Sequence, residues 1–171
     1  DYLNGIPTVW EPSNATTNKG YQTEDQLFDL QDDLLNELEK IVRLKIDEYY
    51  EEYKSRSSVF ISRWPTIKKM KSWYVRLIQG GYQDAHMHSL GWLSGVVYLN
   101  TIEHPTNGEG SIEFGLHGYN YKILNSNIPR EQHQPINGDL VLFPSSLFHK
   151  TIPIQQNSER SIIAFDLMPD N

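Results

Sequence analysis

The sequence predicts a mainly β fold with an α-helical segment near the N-terminus, a β-sandwich or barrel with helices packed outside. One helical pattern of apolar residues comes first, and many short strand-like runs separated by turn signals follow it. Ten Tyr and four Trp in 171 residues also favour strands, where large flat side chains pack well. This length predicts a single domain, with residues 1–58 forming an N-terminal arm and supporting helix and residues 59–171 forming the β core.

Composition excludes several kinds of function. The net charge of −7 makes a nucleic-acid partner unexpected, because phosphate-binding surfaces are basic. The chain has no cysteine, which excludes disulfides, thiolate metal sites and a cysteine nucleophile. No apolar run approaches the length of a membrane span, so we expect no membrane association and a cytoplasmic location.

The first third of the chain predicts an arm followed by a helix. Residues 1–20 read as an extended arm that docks through Trp10. Thr23 and Gln26 match a capping box, which predicts that the helix begins at Thr23. Apolar residues then recur every three or four positions and predict one buried stripe: Leu27, Leu30, Leu34, Leu38 and Ile41, with Leu35, Val42, Ile46, Tyr49 and Tyr53. A helix packed on a sheet explains this stripe better than a partner-binding helix.

Alternating patterns dominate after Arg56. A short strand is expected at 59–61, and a longer one at 73–79 that Gly80 and Gly81 break. Further strand-like runs lie at 93–99, 111–115, 121–124, 139–143, 148–154 and 161–167.

Three histidines are candidate metal ligands. His86 and His88 are two residues apart at the edge of a strand, so their side chains point to the same face. His149 lies near the end of a later strand-like run. Imidazole suits Zn, Cu, Ni and Fe, and three ligands leave coordination positions open for substrate. From the histidines alone, zinc hydrolysis is as good an interpretation as iron chemistry.

Arg160 begins an apolar strand, where a guanidinium needs an anion to offset its desolvation. The anion is either a bound carboxylate or a nearby acid of the chain, Asp166 or Glu159. The sequence leaves both interpretations open.

Four segments, in order, resemble the 2-oxoglutarate- and Fe(II)-dependent oxygenases, in particular the oxygenase families related to prolyl hydroxylases. GGYQDAHMH resembles their Gly-Gly…His-x-Asp segment, and VVYLN resembles the strand that follows it. GEGSIEF resembles a later Gly-containing strand, and GDLVLFPSSLFHKTIP with RSIIAF resembles the distal His…Arg segment. The resemblance covers roughly residues 73 to 168.

The resemblance implies a double-stranded β-helix, a cupin-like jelly roll, with the long helix packed on its outside. It implies that His86, His88 and His149 are the catalytic metal ligands. It implies that Arg160 and Tyr98 bind the distal carboxylate of 2-oxoglutarate. Leu77 stands where prolyl hydroxylases carry a tyrosine, and Arg76 is a candidate to replace that contact.

The implied activity is hydroxylation of an unidentified small molecule or protein side chain, with release of succinate and CO2. Fe(II) and 2-oxoglutarate are the implied cofactor and cosubstrate, and ascorbate is an expected accessory. A homodimer is left open. Trp92, His117, Tyr119 and Tyr121 are candidate substrate-pocket residues.

One departure from the family pattern concerns His88, which stands where the family usually has Asp or Glu. Asp84 is in phase with both histidines and could supply a carboxylate instead. Two alternative functions remain: a cupin-like three-histidine metalloenzyme that does not use 2-oxoglutarate, and a non-catalytic jelly-roll binding module.

Overall fold

The computed structural model describes residues 2–24, 26–66, 68–119, 121–125 and 127–169. Its helices are α1 (Asp33–Tyr53) and α2 (Val59–Ser62), with short 3-10 helices at Tyr2–Gly5 and Leu27–Asp29. The strands are β1 (Val9–Trp10), β2 (Thr17–Gln22), β3 (Lys68–Gln83), β4 (Leu93–Asn100), β5 (Ile112–Gly115), β6 (Arg130–His133), β7 (Leu140–Pro144), β8 (Phe148–Thr151) and β9 (Arg160–Pro169).

The strands form two antiparallel sheets. The larger has the order β1-β2-β3-β9-β4-β7, and the smaller has the order β6-β5-β8. Both sheets also pair strands that are distant in sequence, such as β3 with β9 and β5 with β8, as in a jelly roll, and α1 lies outside the larger sheet. The predicted mainly β double-stranded β-helix with an outer helix is confirmed.

Alternation along β9 shows how the larger sheet separates two apolar layers. Ile163, Phe165 and Leu167 pack in the same cluster as the helix residues Leu35, Val42 and Ile46. Ile162 and Ala164 point the other way, into a cluster that includes Ile112 of the smaller sheet. One face of the larger sheet therefore packs on the helix, and its other face encloses the interior of the β-helix.

The helix begins later than the capping box predicts. Asp32 caps α1, and its carboxylate accepts hydrogen bonds from the backbone N–H groups of Leu34 and Leu35, both at 3.0 Å. The Thr23 hydroxyl instead accepts a bond from the backbone N–H of Tyr74 at 3.0 Å, and the Gln26 amide binds the backbone of β3. These two residues tie the incoming chain to β3, and their capping role was predicted wrongly.

The predicted buried stripe of α1 contained two faces of the helix. Leu35, Val42 and Ile46 are buried, whereas Leu34 and Ile41 are 67% and 47% exposed. Positions 34 and 35 differ by about 100° around a helix, so both sets cannot face the sheet.

Other boundaries also differ from the expectation. Residues 59–61 belong to helix α2, and residues 121–125 contain no strand. β3 continues past Gly80, because this glycine takes a positive φ of 79° and the pairing with β2 shifts register nearby.

The N-terminal arm docks through backbone pairing of β2 with β3 and not through Trp10, which is 43% exposed. β6 was not predicted, since its sequence, REQH, is polar throughout. Among the described helices, none combines the length and the apolar character that a bilayer crossing requires.

The packing of α1 predicts a clear difference between two isoleucines. Ile46→Ala is expected to lower the free energy of unfolding by about 2–5 kcal/mol, because Ile46 is buried against the sheet. Ile41→Ala removes the same atoms from an exposed position and should cost less than about 1 kcal/mol. Urea titrations of the two variants test this, and equal losses would contradict the orientation of the helix.

Candidate metal centre

A backbone pair brings two of the candidate ligands together. His86 lies just after β3 and forms an antiparallel bridge with His149 in β8. Each donates its N–H to the carbonyl of the other, at 3.0 Å and 2.9 Å. Residues directly opposite each other in such a pair project to the same side, and the two ring centroids are 4.4 Å apart.

His88 completes the cluster. Its backbone N–H donates to the Ser145 carbonyl at 2.9 Å, and its ring lies 5.1 Å from the ring of His86 and 5.0 Å from that of His149. One nitrogen of each ring lies within 4.8 Å of the corresponding nitrogens of the others. The three imidazoles can therefore share a single ion.

The hydrogen bonds of the rings suit metal ligation. Nδ1 of His86 lies 2.6 Å from the Asp84 carbonyl, and Nδ1 of His149 lies 3.1 Å from the Leu147 carbonyl. Nδ1 of His88 lies 2.5 Å from Oδ1 of Asp166. A carbonyl or carboxylate oxygen can only accept, so each Nδ1 donates its proton and Nε2 keeps its lone pair for a metal.

Electrostatics also keeps two ligands in the form that binds a metal. Burial lowers the pKa of His86 to about 4. Burial, followed by the neighbouring His86 and His88 rings, lowers the pKa of His149 to about 2. Both imidazoles are therefore neutral at pH 7, as a ligand must be.

The Asp84 carboxylate does not join the cluster. It is exposed and accepts a hydrogen bond from the Asn18 amide at 3.0 Å, and only the backbone carbonyl of Asp84 faces His86. Within the described chain, the grouping able to hold a metal consists of histidines alone.

A cleft of about 500 Å³ opens over His86 and His88. Four arm residues line one side: Pro12, Asn14, Ala15 and Thr16. The Thr16 hydroxyl is 3.3 Å from Nδ1 of His86. Trp73, Met168 and Tyr119 supply apolar surface elsewhere in the cleft.

Only part of the predicted substrate pocket lies at this cleft. Tyr119 lines it, and its hydroxyl donates to the Met87 carbonyl at 3.2 Å. Trp92 stacks on Phe60 instead, with ring centroids 5.5 Å apart. His117 binds the carbonyl of Tyr121 at 2.7 Å, and neither of these two residues lines the cleft.

Arg160 is a buried cation that forms no ion pair with any acid in the described part of the chain. It is 2% exposed, and its Nε and Nη1 atoms have no hydrogen-bond partner among the described residues. Its guanidinium lies 5.0 Å from the centre of the Tyr98 ring. The buried Tyr98 hydroxyl also lacks a hydrogen bond within the described chain. Burial lowers the pKa of Arg160 and raises that of Tyr98.

Neither acid considered as an internal partner reaches Arg160. Asp166 binds His88 and Ser94, and Glu159 lies 3.7 Å from Arg76. A buried guanidinium with free donors is costly, and a carboxylate from outside the chain would satisfy it.

The comparison with protein families agrees with these features. Residues 71–166, more than half of the chain, match the family described as "Putative 2OG-Fe(II) oxygenase". The chain belongs to this family of 2-oxoglutarate- and Fe(II)-dependent oxygenases. It is thus a member of the dioxygenases that use Fe(II) and 2-oxoglutarate. No curated protein has a matching sequence.

Solved oxygenase structures share the fold. A Pseudomonas putida prolyl-4-hydroxylase has 16% identity and a TM-score of 0.61, over 94% of this chain and 77% of that chain. HygX from Streptomyces hygroscopicus with nickel, 2-oxoglutarate and hygromycin B bound has 16% identity and a TM-score of 0.62, over 98% and 75%. A Trichoplax adhaerens prolyl hydroxylase in complex with a hypoxia inducible factor peptide fragment has 16% identity and a TM-score of 0.62, over 98% and 72%.

In this oxygenase Arg76 lies apart from Arg160 and Tyr98. Its guanidinium stacks on the Tyr21 ring at 4.7 Å, on β2. Its neighbours Val75 and Leu77 point to the opposite face and pack in the cluster that contains Tyr98. Alternation along β3 therefore turns Arg76 away from the interior.

Sequence reasoning missed the polar group behind His88. Asp166 and Ser94 are opposite each other in the β9–β4 register, and the Ser94 hydroxyl donates to Oδ1 of Asp166 at 2.6 Å. Asp166 was considered only as a partner for Arg160. Alternation from Arg160 through Ile162 and Ala164 already puts Asp166 on the inner face, at the other end of the strand.

The lowered histidine pKa values predict how the metal-free protein responds to acid. The unfolded chain binds protons below about pH 6.5, whereas the folded imidazoles of His86 and His149 stay neutral until far lower pH. The two neutral imidazoles therefore cause no loss in the free energy of unfolding above that pH. This free energy falls as the pH drops to 5, by up to about 1.4 kcal/mol per pH unit for each imidazole.

Urea unfolding between pH 7.5 and 5 in the presence of a chelator measures this slope. His149→Asn should flatten it, while His104→Asn, at an exposed loop position, should not. An unchanged slope in His149→Asn would contradict a neutral buried imidazole.

Proposed function

We propose that this oxygenase hydroxylates a small molecule or a protein side chain, with conversion of 2-oxoglutarate to succinate and CO2. The observation that carries the proposal is the buried Arg160, whose Nε and Nη1 have no acceptor among the described residues, beside a Tyr98 hydroxyl that also lacks a hydrogen bond there. A dicarboxylate can satisfy both with one carboxylate and still present its other end to a metal.

The three histidines and Arg160 border the same interior. Tyr98 and Phe143 belong to one buried cluster between the sheets, and the Phe143 ring lies 4.6 Å from the ring of His149. Arg160 lies on the inner face of β9, against the Tyr98 ring. A cosubstrate held at Arg160 would extend between the apolar side chains of this cluster toward the histidines.

In this proposal His86, His88 and His149 hold Fe(II) through their Nε2 atoms. The iron, together with 2-oxoglutarate, supplies the activation of O2 and the oxidising power. The chain orients the three rings through their Nδ1 hydrogen bonds and keeps the imidazoles of His86 and His149 neutral by burial. Arg160 and Tyr98 hold the distal carboxylate.

The cleft over His86 and His88 is the proposed entrance for the substrate. Trp73 lies against the His88 ring, with centroids 5.5 Å apart, and gives the cleft an apolar wall close to the proposed metal. HygX has hygromycin B bound and the Trichoplax enzyme is in complex with a peptide fragment, which supports either a small molecule or a protein side chain as the substrate class. The ascorbate requirement, the homodimer and the cytoplasmic location stay predictions.

A cupin-like three-histidine enzyme without 2-oxoglutarate is the second candidate, and one observation favours it. The grouping that can hold a metal contains no acid among the described residues. The buried Arg160 has no role in that alternative, so a variant at this position separates the two.

Arg160→Met is expected to weaken 2-oxoglutarate binding by roughly 10- to 100-fold, because charge-assisted hydrogen bonds contribute about 1.5–3 kcal/mol. Anaerobic calorimetry on protein loaded with Fe(II) measures the affinity. The matched control is Arg76→Met on the neighbouring strand, whose side chain faces away, and its affinity should equal that of the wild type. Equal binding by Arg160→Met and wild type would favour the cupin-like alternative.

His149→Ala and His86→Ala should each abolish Fe(II)-dependent formation of succinate from 2-oxoglutarate, because each removes one of three ligands. Labelled 2-oxoglutarate and measurement of succinate with and without O2 give the readout. His133→Ala, which removes a histidine that pairs with Asp139 outside the cluster, should retain the wild-type rate. Succinate formation that survives the loss of either ligand would refute the proposed site.

A further inference from the structure

A buried carboxylate lies directly behind one of the three metal-site histidines. Asp166 is 7% exposed and lies on the inner face of β9. Its Oδ1 atom is 2.5 Å from Nδ1 of His88 and also accepts the Ser94 hydroxyl proton at 2.6 Å. The Ser145 hydroxyl, 2.8 Å from Ser94, donates to Ser94 in turn. The carboxylate is thus held in place from two sides.

The partner that Asp166 binds is informative, because a cation lies nearby. Lys71 is opposite Asp166 in the β3–β9 register, yet the carboxylate binds the histidine and makes no ion pair with Lys71. Lys71 is exposed and lines the cleft. Asp166 is therefore directed at the metal site and not at a cross-strand salt bridge.

The contact between Asp166 and His88 places a negative charge close to the proposed metal. Three imidazoles bring no negative charge to a divalent ion, and His88 occupies the position where related oxygenases usually supply a carboxylate. A divalent ion in a largely buried site is stabilised by a nearby anion. A carboxylate hydrogen-bonded to Nδ1 of a ligand raises the basicity of that ligand and fixes its tautomer.

We propose that Asp166 is a positioning residue that acts through His88 and supplies, from one hydrogen bond away, the negative charge of the missing carboxylate ligand. This inference rests on the proposed function, since it requires His88 to bind the metal. It predicts that the charge of Asp166, and not only its shape, determines the affinity for the metal.

Asp166→Asn separates charge from shape. The asparagine carbonyl oxygen can still accept from His88 and from Ser94, but the negative charge is gone. We expect Co(II) to bind roughly 10- to 100-fold more weakly, the loss typical of such partners of a ligand. The visible absorption bands of bound Co(II) should shift, because the donor strength of His88 changes. The melting temperature of the metal-free protein, measured by circular dichroism, confirms that the variant is folded.

Two control variants isolate the effect. Glu37→Gln removes the same unit of charge from the exposed surface of α1, and it should leave the Co(II) affinity and spectrum unchanged. Ser145→Ala disrupts the hydroxyl pair without a change of charge, and its affinity should stay close to that of the wild type. A loss in Ser145→Ala as large as in Asp166→Asn would overturn the proposal in favour of a purely structural network.

A double variant tests the charge directly. His88→Asp combined with Asp166→Asn moves the carboxylate onto the metal, and this should restore much of the Co(II) affinity lost in Asp166→Asn. Failure to recover would show that charge is not what Asp166 supplies.

Co(II) titration of the wild-type protein distinguishes a failure of the proposed Asp166 role from a failure of the proposed metal site. If wild type and Asp166→Asn bind Co(II) equally, with equal spectra, the role of Asp166 is overturned while the three-histidine site stands. If the wild type binds no metal, the proposed function fails, and the role of Asp166 fails with it.

Discussion

The rest of the site depends on one backbone contact, the two-way hydrogen bond between His86 and His149. It joins the chain at the end of β3 to β8, and so it ties the larger sheet to the smaller one at the end where the cleft opens. The pleat of the strands, and not the choice of side-chain rotamer alone, places both rings on one side. The His88 backbone has its own bond to Ser145, just beyond β7. All three rings therefore project from backbone held by strands or strand ends, which favours a pre-formed geometry.

The inner face of β9 carries two buried charges of opposite sign at its two ends. Asp166 finds its partners within the protein, in His88 and Ser94. The Nε and Nη1 atoms of Arg160 have no such acceptor in the described chain, and the guanidinium lies against the Tyr98 ring. Burial of an ion is unfavourable unless it is compensated, so this asymmetry supports the proposed ligand at Arg160 and the proposed role of the Asp166 charge beside His88. One strand thus relates the proposed cosubstrate pocket to the metal centre, with Ile162 and Ala164 providing apolar surface between them.

Much of the fold and of the candidate site could be predicted from the sequence, and the wrong predictions have physical reasons. The spacing of His86 and His88, the later His149 and the order of four motifs pointed to one cluster, because strand alternation is local information. The prediction that Arg76 contacts the cosubstrate did not use the alternation of β3. The neighbours of Arg76 on either side are apolar, so alternation puts them on the inner face and Arg76 on the outer face. The faces of α1 were confused because both carry apolar residues, and only packing on the sheet selects one. The role of Asp166 needed the β9–β4 register, which a single sequence does not contain.

In the proposed site, three histidines and Arg160 together bind Fe(II) and 2-oxoglutarate. The most direct measurement is anomalous X-ray diffraction at the iron edge, from crystals grown anaerobically with Fe(II) and 2-oxoglutarate. We expect one anomalous peak at coordination distance from Nε2 of His86, His88 and His149. We also expect the distal carboxylate of 2-oxoglutarate in contact with Arg160 and Tyr98. Iron bound without His88, or a dicarboxylate bound away from Arg160, would contradict the proposed site.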